Sequence, residues 1–178
     1  MRIIRKSELK EGRWRNGMGV SWDIASDPPG TDDFGWRLAM AHIDADVPFS
    51  HYPSVDRVFT LIEGNGLDLE FESGRTLAVD RLFVPHPYPC DIPTYCRLRD
   101  GPCRALNLFT RRGLLTVGVD ILSSNAKIEH PGPMLLVVLD GRAEIGGGSL
   151  ECGDTVVMSD RVSAKVDGLL YAAKLTKG

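Results

Sequence analysis

The feature that most restricts the fold of this 178-residue chain is the near absence of helical periodicity. Short apolar or alternating runs recur instead between glycine, proline and aspartate residues, a pattern that predicts β-strands. The clearest runs are residues 36–43 (WRLAMAHI), 57–64 (RVFTLIEG), 67–71 (LDLEF), 103–110 (CRALNLFT) and 134–141 (MLLVVLDG). Their spacing of roughly 8–12 residues is typical of a β-sandwich or jelly roll. The chain is therefore predicted to be all-β.

Two stretches of the sequence resemble each other. Residues 59–84 and 135–159 each read as strand, acidic–glycine turn, strand, glycine turn and strand. Glycine supplies the positive φ that such reversals require. The second stretch, with its "DGRAEIGGGSLECGDTVVM", is similar to the turn–strand–turn–"GD"–strand signature of the cupin superfamily. We expect a bicupin of the RmlC-like jelly-roll type, with one unit over residues 1–113 and a smaller one over residues 114–178.

Charge and hydropathy exclude several classes of partner. The net charge is −3, so no basic field predicts binding to nucleic acid or to an anionic membrane surface. The first residues, "MRIIRKSELKEGR", are too charged for a secretory leader. A membrane span requires about 20 uninterrupted apolar residues, and no later segment has such a run. We expect a cytoplasmic protein.

The histidines do not predict a metal site. A barrel strand aims two imidazoles at one metal only when they are spaced two residues apart. His42, His51, His86 and His130 are scattered, without such a pair. The sequence therefore predicts no metal and no other cofactor.

The segment "RWRNGMG" has no phosphate-loop pattern, and no helix is predicted after it. One interpretation is that Trp14 packs on a sheet edge while Asn16 caps a turn. The other is a glycine-permitted bend that brings both side chains over the rim of a pocket in the first β-unit.

Arginines inside apolar strands are the strongest indication of a site. Alternation places Arg37 on the same strand face as Ala39 and Ala41, which leave room for a long side chain. A buried guanidinium needs a carboxylate or is very costly. Either Asp56 pairs with Arg57 or Arg37 in a structural ion pair, or an arginine is held ready for a ligand carboxylate.

Further polar residues occur in "CRALNLFTRRG", where Asn107 lies in the middle of a strand and Arg111 at its end. An amide among apolar neighbours needs backbone partners or a ligand contact. Both residues are candidates for the same site.

Taken together, these segments resemble the HutD/Ves family. The resemblance rests on "WRNGMG", "WRLAMAHIDADVPFSHYPSVDRVFTLIEGNGLDL" and "DIPTYCRLRDGPCRALNLFTRRG", in the family's order and spacing. Met18 and Ser54 stand where the family has glycine, Cys90 stands where glycine is usual, and Phe109 replaces a methionine. The resemblance also adds Ser50, in "FSHYP", to the expected site.

The resemblance implies a metal-free bicupin linked with histidine utilisation, with a proposed role in binding an intermediate such as N-formylglutamate. We expect a small-molecule binding protein in which arginines clamp a carboxylate. An alternative is a metal-independent isomerase or hydrolase that uses His51 or Asp56 for acid–base chemistry. A third is an interaction module, and a homodimer is left open.

Overall fold

The computed structural model describes residues 1–159 and 161–178 in full, together with the backbone of residue 160. Besides a 3₁₀ turn at Lys6–Glu8, the elements are strands. They are β1 (Arg2–Ile4), β2 (Glu11–Arg13), β3 (Val20–Asp27), β4 (Trp36–Ile43), β5 (Val47–Pro48), β6 (Val55–Glu63), β7 (Leu67–Phe71), β8 (Thr76–Val79), β9 (Pro85–Pro89), β10 (Thr94–Leu98), β11 (Cys103–Arg111), β12 (Leu115–Leu122), β13 (Ala126–Ile145), β14 (Gly148–Glu151) and β15 (Thr155–Lys177). The all-β prediction is confirmed.

The chain divides into two compact units. One comprises Lys10–Arg112, and the other combines Met1–Leu9 with Gly113–Gly178. The division expected from the sequence differs in placing the first nine residues with the N-terminal unit. They group with the C-terminal one because β1 pairs antiparallel with the start of β15. No helix in the described residues is long and apolar enough to cross a membrane.

The Lys10–Arg112 unit contains two sheets. A six-stranded sheet has the order β2-β3-β4-β11-β6-β9, and a four-stranded sheet has the order β5-β10-β7-β8. One apolar core draws residues from both sheets, including Phe59 and Ala105 of the larger and Leu69 and Cys96 of the smaller. Because each strand alternates its side chains between two faces, burying one face of each sheet produces a sandwich.

The other unit is built around the two longest strands. Residues 134–145 of β13 pair with residues 164–174 of β15, while β1, β12 and β14 complete the sheet. Its core includes Met134, Leu136, Val156 and Leu170, all essentially without exposed surface. Such a filled interior holds this unit together through burial of apolar surface.

The acidic–glycine turns behave as the sequence predicts. Gly64 has φ +104° and Gly141 has φ +68°. A Cβ at Gly141 would also collide with the backbone of Asp167, at 3.0 Å from its carbonyl carbon. Ser54, which stands where the HutD/Ves pattern has glycine, adopts φ +56° as a non-glycine residue, a conformation that costs an L-residue energy.

Candidate functional site

A cavity lies in the Lys10–Arg112 unit, on the face of the six-stranded sheet that also carries the core. The centre of a water molecule can occupy about 50 Å³ of this cavity. That is room for about three to five waters, or for a ligand group of the same size. The polar residues of its wall are Ser21, Arg37, Ser50, Arg57 and Asn107. The aromatic ones are Trp14, Phe49, Tyr52, Phe59 and Phe109.

Strand register brings the two arginines to this wall. Phe109 of β11 lies opposite Arg37 of β4 on one side and opposite Arg57 of β6 on the other. Directly opposed residues share a face, so both arginines point the same way as Phe109. With strands about 4.8 Å apart, their backbones are roughly 10 Å from each other. Asn107 lies two residues along β11, on the same face.

Arg57 is buried, with 5% of its surface exposed. Its Nε donates to Sγ of Cys90 at 3.2 Å and its Nη1 donates to the hydroxyl of Tyr88 at 3.0 Å. The guanidinium carbon also lies 4.7 Å from the ring centroid of Phe109 and 5.2 Å from that of Phe49. Nη2 makes no hydrogen bond to a described residue, which leaves donor capacity on the cavity wall.

Among the described residues, no carboxylate neutralises the charge of Arg57. None of the ion pairs between described residues includes it. Burial raises the pKa of the Tyr88 hydroxyl and of the Cys90 thiol, so both stay neutral near pH 7. Arg57 itself keeps its charge, because a guanidinium group is not deprotonated in proteins. The result is a buried cation bonded to neutral groups.

Arg37 is in a different electrostatic state. Its Nη2 and Nε donate to Oδ1 of Asp23 at 2.6 and 2.9 Å, and its Nη1 reaches the hydroxyl of Tyr52 at 3.4 Å. Burial acts to lower the pKa of Arg37, but the hydrogen bond and the charge of Asp23 outweigh it and raise that pKa. Of the two arginines on the wall, Arg37 is neutralised by Asp23 and Arg57 is not.

Trp14 covers one side of the cavity. Its Nε1 donates to the carbonyl of Val20 at 2.9 Å, and its ring lies edge-on to Phe49 with centroids 5.6 Å apart. Gly19 permits this position, because a Cβ there would lie 2.6 and 2.7 Å from two atoms of the Trp14 ring. The bend predicted in "RWRNGMG" thus brings Trp14 to the wall.

Asn107 is a further polar residue of the wall and is 4% exposed. Its Nδ2 donates to the carbonyl of Ala105 at 3.4 Å, and its Oδ1 is buried without a hydrogen-bond donor among the residues that the structure describes. Buried polar atoms normally have partners, so an unpaired amide oxygen at a cavity needs an explanation.

Three predicted site residues lie outside the cavity wall. Asp56 alternates to the opposite face of β6 from Arg57 and pairs with Arg112 at 2.6 Å, so the alternative in which Asp56 pairs with Arg57 or Arg37 does not hold. Arg111 pairs with the exposed Asp33 at 2.9 Å. The Asn16 amide donates to the carbonyl of Pro48 at 2.8 Å. Asn16 therefore fastens the bend that carries Trp14, and does not itself line the wall.

The candidate acid–base and metal-binding groups are dispersed. His51 is exposed, with its Nε2 3.2 Å from the carbonyl oxygen of Asp91, and like Asp56 it is not part of the cavity wall. Within the described residues, no group of three or more His, Cys, Asp or Glu side chains is placed to hold a metal ion.

The side chains that contact Arg57 are not predicted by the sequence. Alternation along β6 does predict that Phe59, two residues after Arg57, shares its strand face. Phe49, Tyr88 and Cys90 come from other segments of the chain, and no local pattern relates them to Arg57.

Fold and cavity together define the class of protein: an all-β protein of the bicupin type. Within that class, the chain belongs to the HutD family, whose family model matches residues 6–171.

Individual relatives agree with this assignment. Protein Ves of Escherichia fergusonii is 44% identical and Protein Ves of Citrobacter koseri is 30% identical, each over 157 residues that cover 87% of this chain and 78% of the relative. The solved structure of HutD from Pseudomonas fluorescens SBW25 superimposes with a TM-score of 0.89 at 23% identity, covering 99% of this chain and 98% of that one. The similarity to this solved structure is a similarity of fold.

Proposed function

We propose that the cavity on the six-stranded sheet binds a small carboxylate metabolite and that the protein acts as a regulatory binding protein without a metal. The observation that carries this proposal is the buried Arg57, whose charge no described residue neutralises. An isolated buried charge is costly, and a bound carboxylate offsets that cost through charge-assisted hydrogen bonds.

The other residues of the cavity wall are suited to binding an organic anion. The aromatic rings around Arg57 exclude water and accept the apolar part of a metabolite. Ser21 and Ser50 add hydroxyl groups on the wall, which can bond a second polar group of the ligand. The room inside suits a carboxylate head group with a few attached atoms.

Histidine-degradation intermediates are the first candidates, because the chain belongs to the HutD family. N-formylglutamate combines carboxylates with a formyl amide, and urocanate combines a carboxylate with a flat ring. Both present an anionic head group of the size that the cavity takes.

Isothermal calorimetry with formate, acetate, glutamate, urocanate and N-formylglutamate tests the proposal, with formamide as the uncharged control. We expect heat from at least one carboxylate, none from formamide, and loss of that heat in Arg57→Gln. The matched control Arg111→Gln removes a guanidinium outside the cavity and is expected to bind normally. Absence of heat for every carboxylate at millimolar concentration overturns the proposal.

The same samples separate binding from turnover. NMR of the ligand after prolonged incubation is expected to show the unchanged compound. Conversion of the ligand replaces the binding proposal with the enzymatic alternative.

A further inference from the structure

The edge strands of the sheets differ in how well they are protected against pairing with another chain. Among the described residues, the edge strands β1, β2, β5, β8 and β14 have at most four residues each. The edge strand β9 reads PHPYP, and its prolines cannot donate to a partner strand. Short strands and prolines both block unwanted pairing. The edge strand β12 has neither protection, because it is eight residues long and contains no proline or lysine.

One side of β12 is open. The strand pairs antiparallel with residues 170–177 of β15 without a register shift, and no described residue pairs with its other side. In the Lys10–Arg112 unit the equivalent position is filled. There β11 lies between β4 and β6, as the end of β15 lies between β12 and β13, but β4 also pairs with β3 on its far side. The sheet of the second unit thus ends at the strand beyond which the first sheet continues.

The backbone groups on the open side belong to the odd-numbered residues of β12. The carbonyl of Leu114 accepts a hydrogen bond from the N–H of Gly178 at 2.9 Å, at the start of the β12–β15 ladder. Backbone groups alternate between the two sides of a strand, so every second residue after Leu114 also faces β15. The residues between them direct their N–H and C=O groups to the open side; they are Leu115, Val117, Val119 and Ile121.

We propose that β12 pairs antiparallel with β12 of a second copy of this chain, about a two-fold axis at Gly118. This axis places Val117 opposite the partner's Val119, and Leu115 opposite the partner's Ile121. These are the residues whose backbone groups face outward, so the two strands exchange about eight hydrogen bonds. A two-fold axis requires a surface that is complementary to itself, and β12 meets that requirement.

The apolar side chains at the two ends of β12 fit the same register. Leu114 is exposed, and the axis places it opposite the partner's Leu122, which removes apolar surface of both from water. Gly118 lies on the axis, opposite its own copy. A Cβ built at Gly118 meets no atom within 4 Å, so the space in front of this residue is open to an approaching strand.

The charges of β12 select this register over a neighbouring one. Asp120 is the only charged residue of the strand, and it forms an ion pair with Lys174 at 3.0 Å. With the axis at Gly118, Asp120 lies opposite the partner's Thr116, so no like charges meet. An axis at Asp120 would place two carboxylates directly opposite each other, which is destabilising.

Sedimentation equilibrium tests whether the dimer forms. An interface of one strand from each chain is small, so the association should be weak. The mass is expected to rise from the 19.5 kDa of one chain towards twice that value as the protein concentration increases. A mass of one chain at every concentration overturns the proposal.

A cysteine on the axis tests where the dimer forms, in a Cys152→Ser background that removes the exposed native thiol. Directly opposed residues that do not share hydrogen bonds have Cα atoms about 4.5 Å apart, within the range of a disulfide. Mild oxidation should therefore link Gly118→Cys into a covalent dimer. Thr116→Cys is the matched control and should remain a single chain, because it lies opposite the partner's Asp120. A dimer that Gly118→Cys does not link, or equal linking of both variants, overturns the proposal.

Variants of the strand test the pairing itself. Val119→Pro removes an outward N–H and leaves the β15 ladder intact, so it should sediment as a single chain. Thr116→Asp places a like charge opposite the partner's Asp120, whereas Thr116→Lys places an opposite charge there. The dissociation constant of the Asp variant should exceed that of the Lys variant by about tenfold, because the axis repeats the contact.

These variants also keep the proposal open to refutation. Thr116 is exposed, so its two variants decide the question if Val119→Pro does not fold. Equal dissociation constants for Thr116→Asp and Thr116→Lys overturn the proposal, as does a folded Val119→Pro protein that dimerises like the wild type.

Discussion

Arg37 and Arg57 lie opposite the same residue of β11, Phe109, one on each side, yet among the described side chains only Arg37 has a carboxylate partner. The sheet thus presents two guanidinium groups to one cavity in different electrostatic states. Because Asp23 already neutralises Arg37, the electrostatic attraction for a ligand anion originates mainly from Arg57.

Replacing Arg57 by methionine is expected to remove carboxylate binding without harming the fold. Affinity should fall by about tenfold to a hundredfold, the usual value of a charge-assisted hydrogen bond. The free energy of unfolding of the ligand-free protein should stay within about 1 kcal/mol or rise, because an apolar residue replaces an unpaired buried charge. Calorimetry and urea denaturation measure the two quantities.

Arg37→Met is the internal comparison for that variant. Its loss of affinity should be clearly smaller than that of Arg57→Met, since it removes a charge that Asp23 already balances. Equal losses from the two variants would contradict the assignment of different states to the two arginines.

Gly19→Ala should displace Trp14 from the cavity. The added methyl group would overlap the indole ring, at 2.6 and 2.7 Å from two of its atoms, so the ring has to move and the cavity opens on that side. We expect carboxylate affinity to fall severalfold and the tryptophan emission maximum to shift to longer wavelength. Met18→Ala changes an exposed neighbour in the same bend and should affect neither. An unchanged emission spectrum in Gly19→Ala would show that Trp14 has not moved.

Asp154, in the "GD" of the second unit, should make stability depend on acid pH. It pairs with Arg5 at 2.7 Å and accepts from the backbone N–H groups of Lys6 and Glu151 at 3.0 and 3.1 Å. Burial acts to raise the pKa of this carboxyl, but these donors outweigh it and lower that pKa. The stabilisation that the Asp154 carboxylate contributes is thus present above the pKa of an unfolded aspartate, about 3.9. It is lost as the pH falls through the lower pKa of Asp154 in the folded protein.

Asp154→Asn tests this dependence. At pH 7 the variant should lose about 1–3 kcal/mol of unfolding free energy. The difference from wild type should shrink as the pH approaches 3. Asp167→Asn alters an exposed pair with Arg142 and should change stability little at any pH. A difference between Asp154→Asn and wild type that does not vary with pH would refute the role assigned to the charge.

Ser54→Gly should stabilise the protein slightly. Ser54 has φ +56°, where an L-residue is strained by about 1–2 kcal/mol and glycine is not. The entropy that glycine loses on folding offsets part of the gain, so we expect an increase of up to about 1 kcal/mol. Ser54→Ala keeps the Cβ and should not stabilise. Thermal denaturation of both variants checks this, and equal melting temperatures would count against strain at this residue.

Much of the fold follows from local patterns. Alternation in residues 36–43 places Arg37, Ala39 and Ala41 on one face, and all three line the cavity. The acidic–glycine turns adopt positive φ as expected. The family pattern in "WRNGMG" marks the segment that carries Trp14 to the wall.

Other features follow only from long-range pairing. Residues 1–9 group with the C-terminal unit because β1 pairs with β15, a contact across almost the whole chain. Asp56 is adjacent to Arg57 in sequence, but alternation turns it to the opposite face, where Arg112 is its partner. No local spacing identifies that partner.

The sequence by itself determined the all-β class, the turns and the face on which each strand residue lies, because these depend on a two-residue period and on glycine at fixed positions. Only the tertiary structure decided that Asp23 neutralises Arg37 while Cys90 and Tyr88 leave Arg57 charged. The physical reason is that strand order and register determine which side chains lie beside each arginine. Order and register in turn follow from how the whole chain buries its apolar faces.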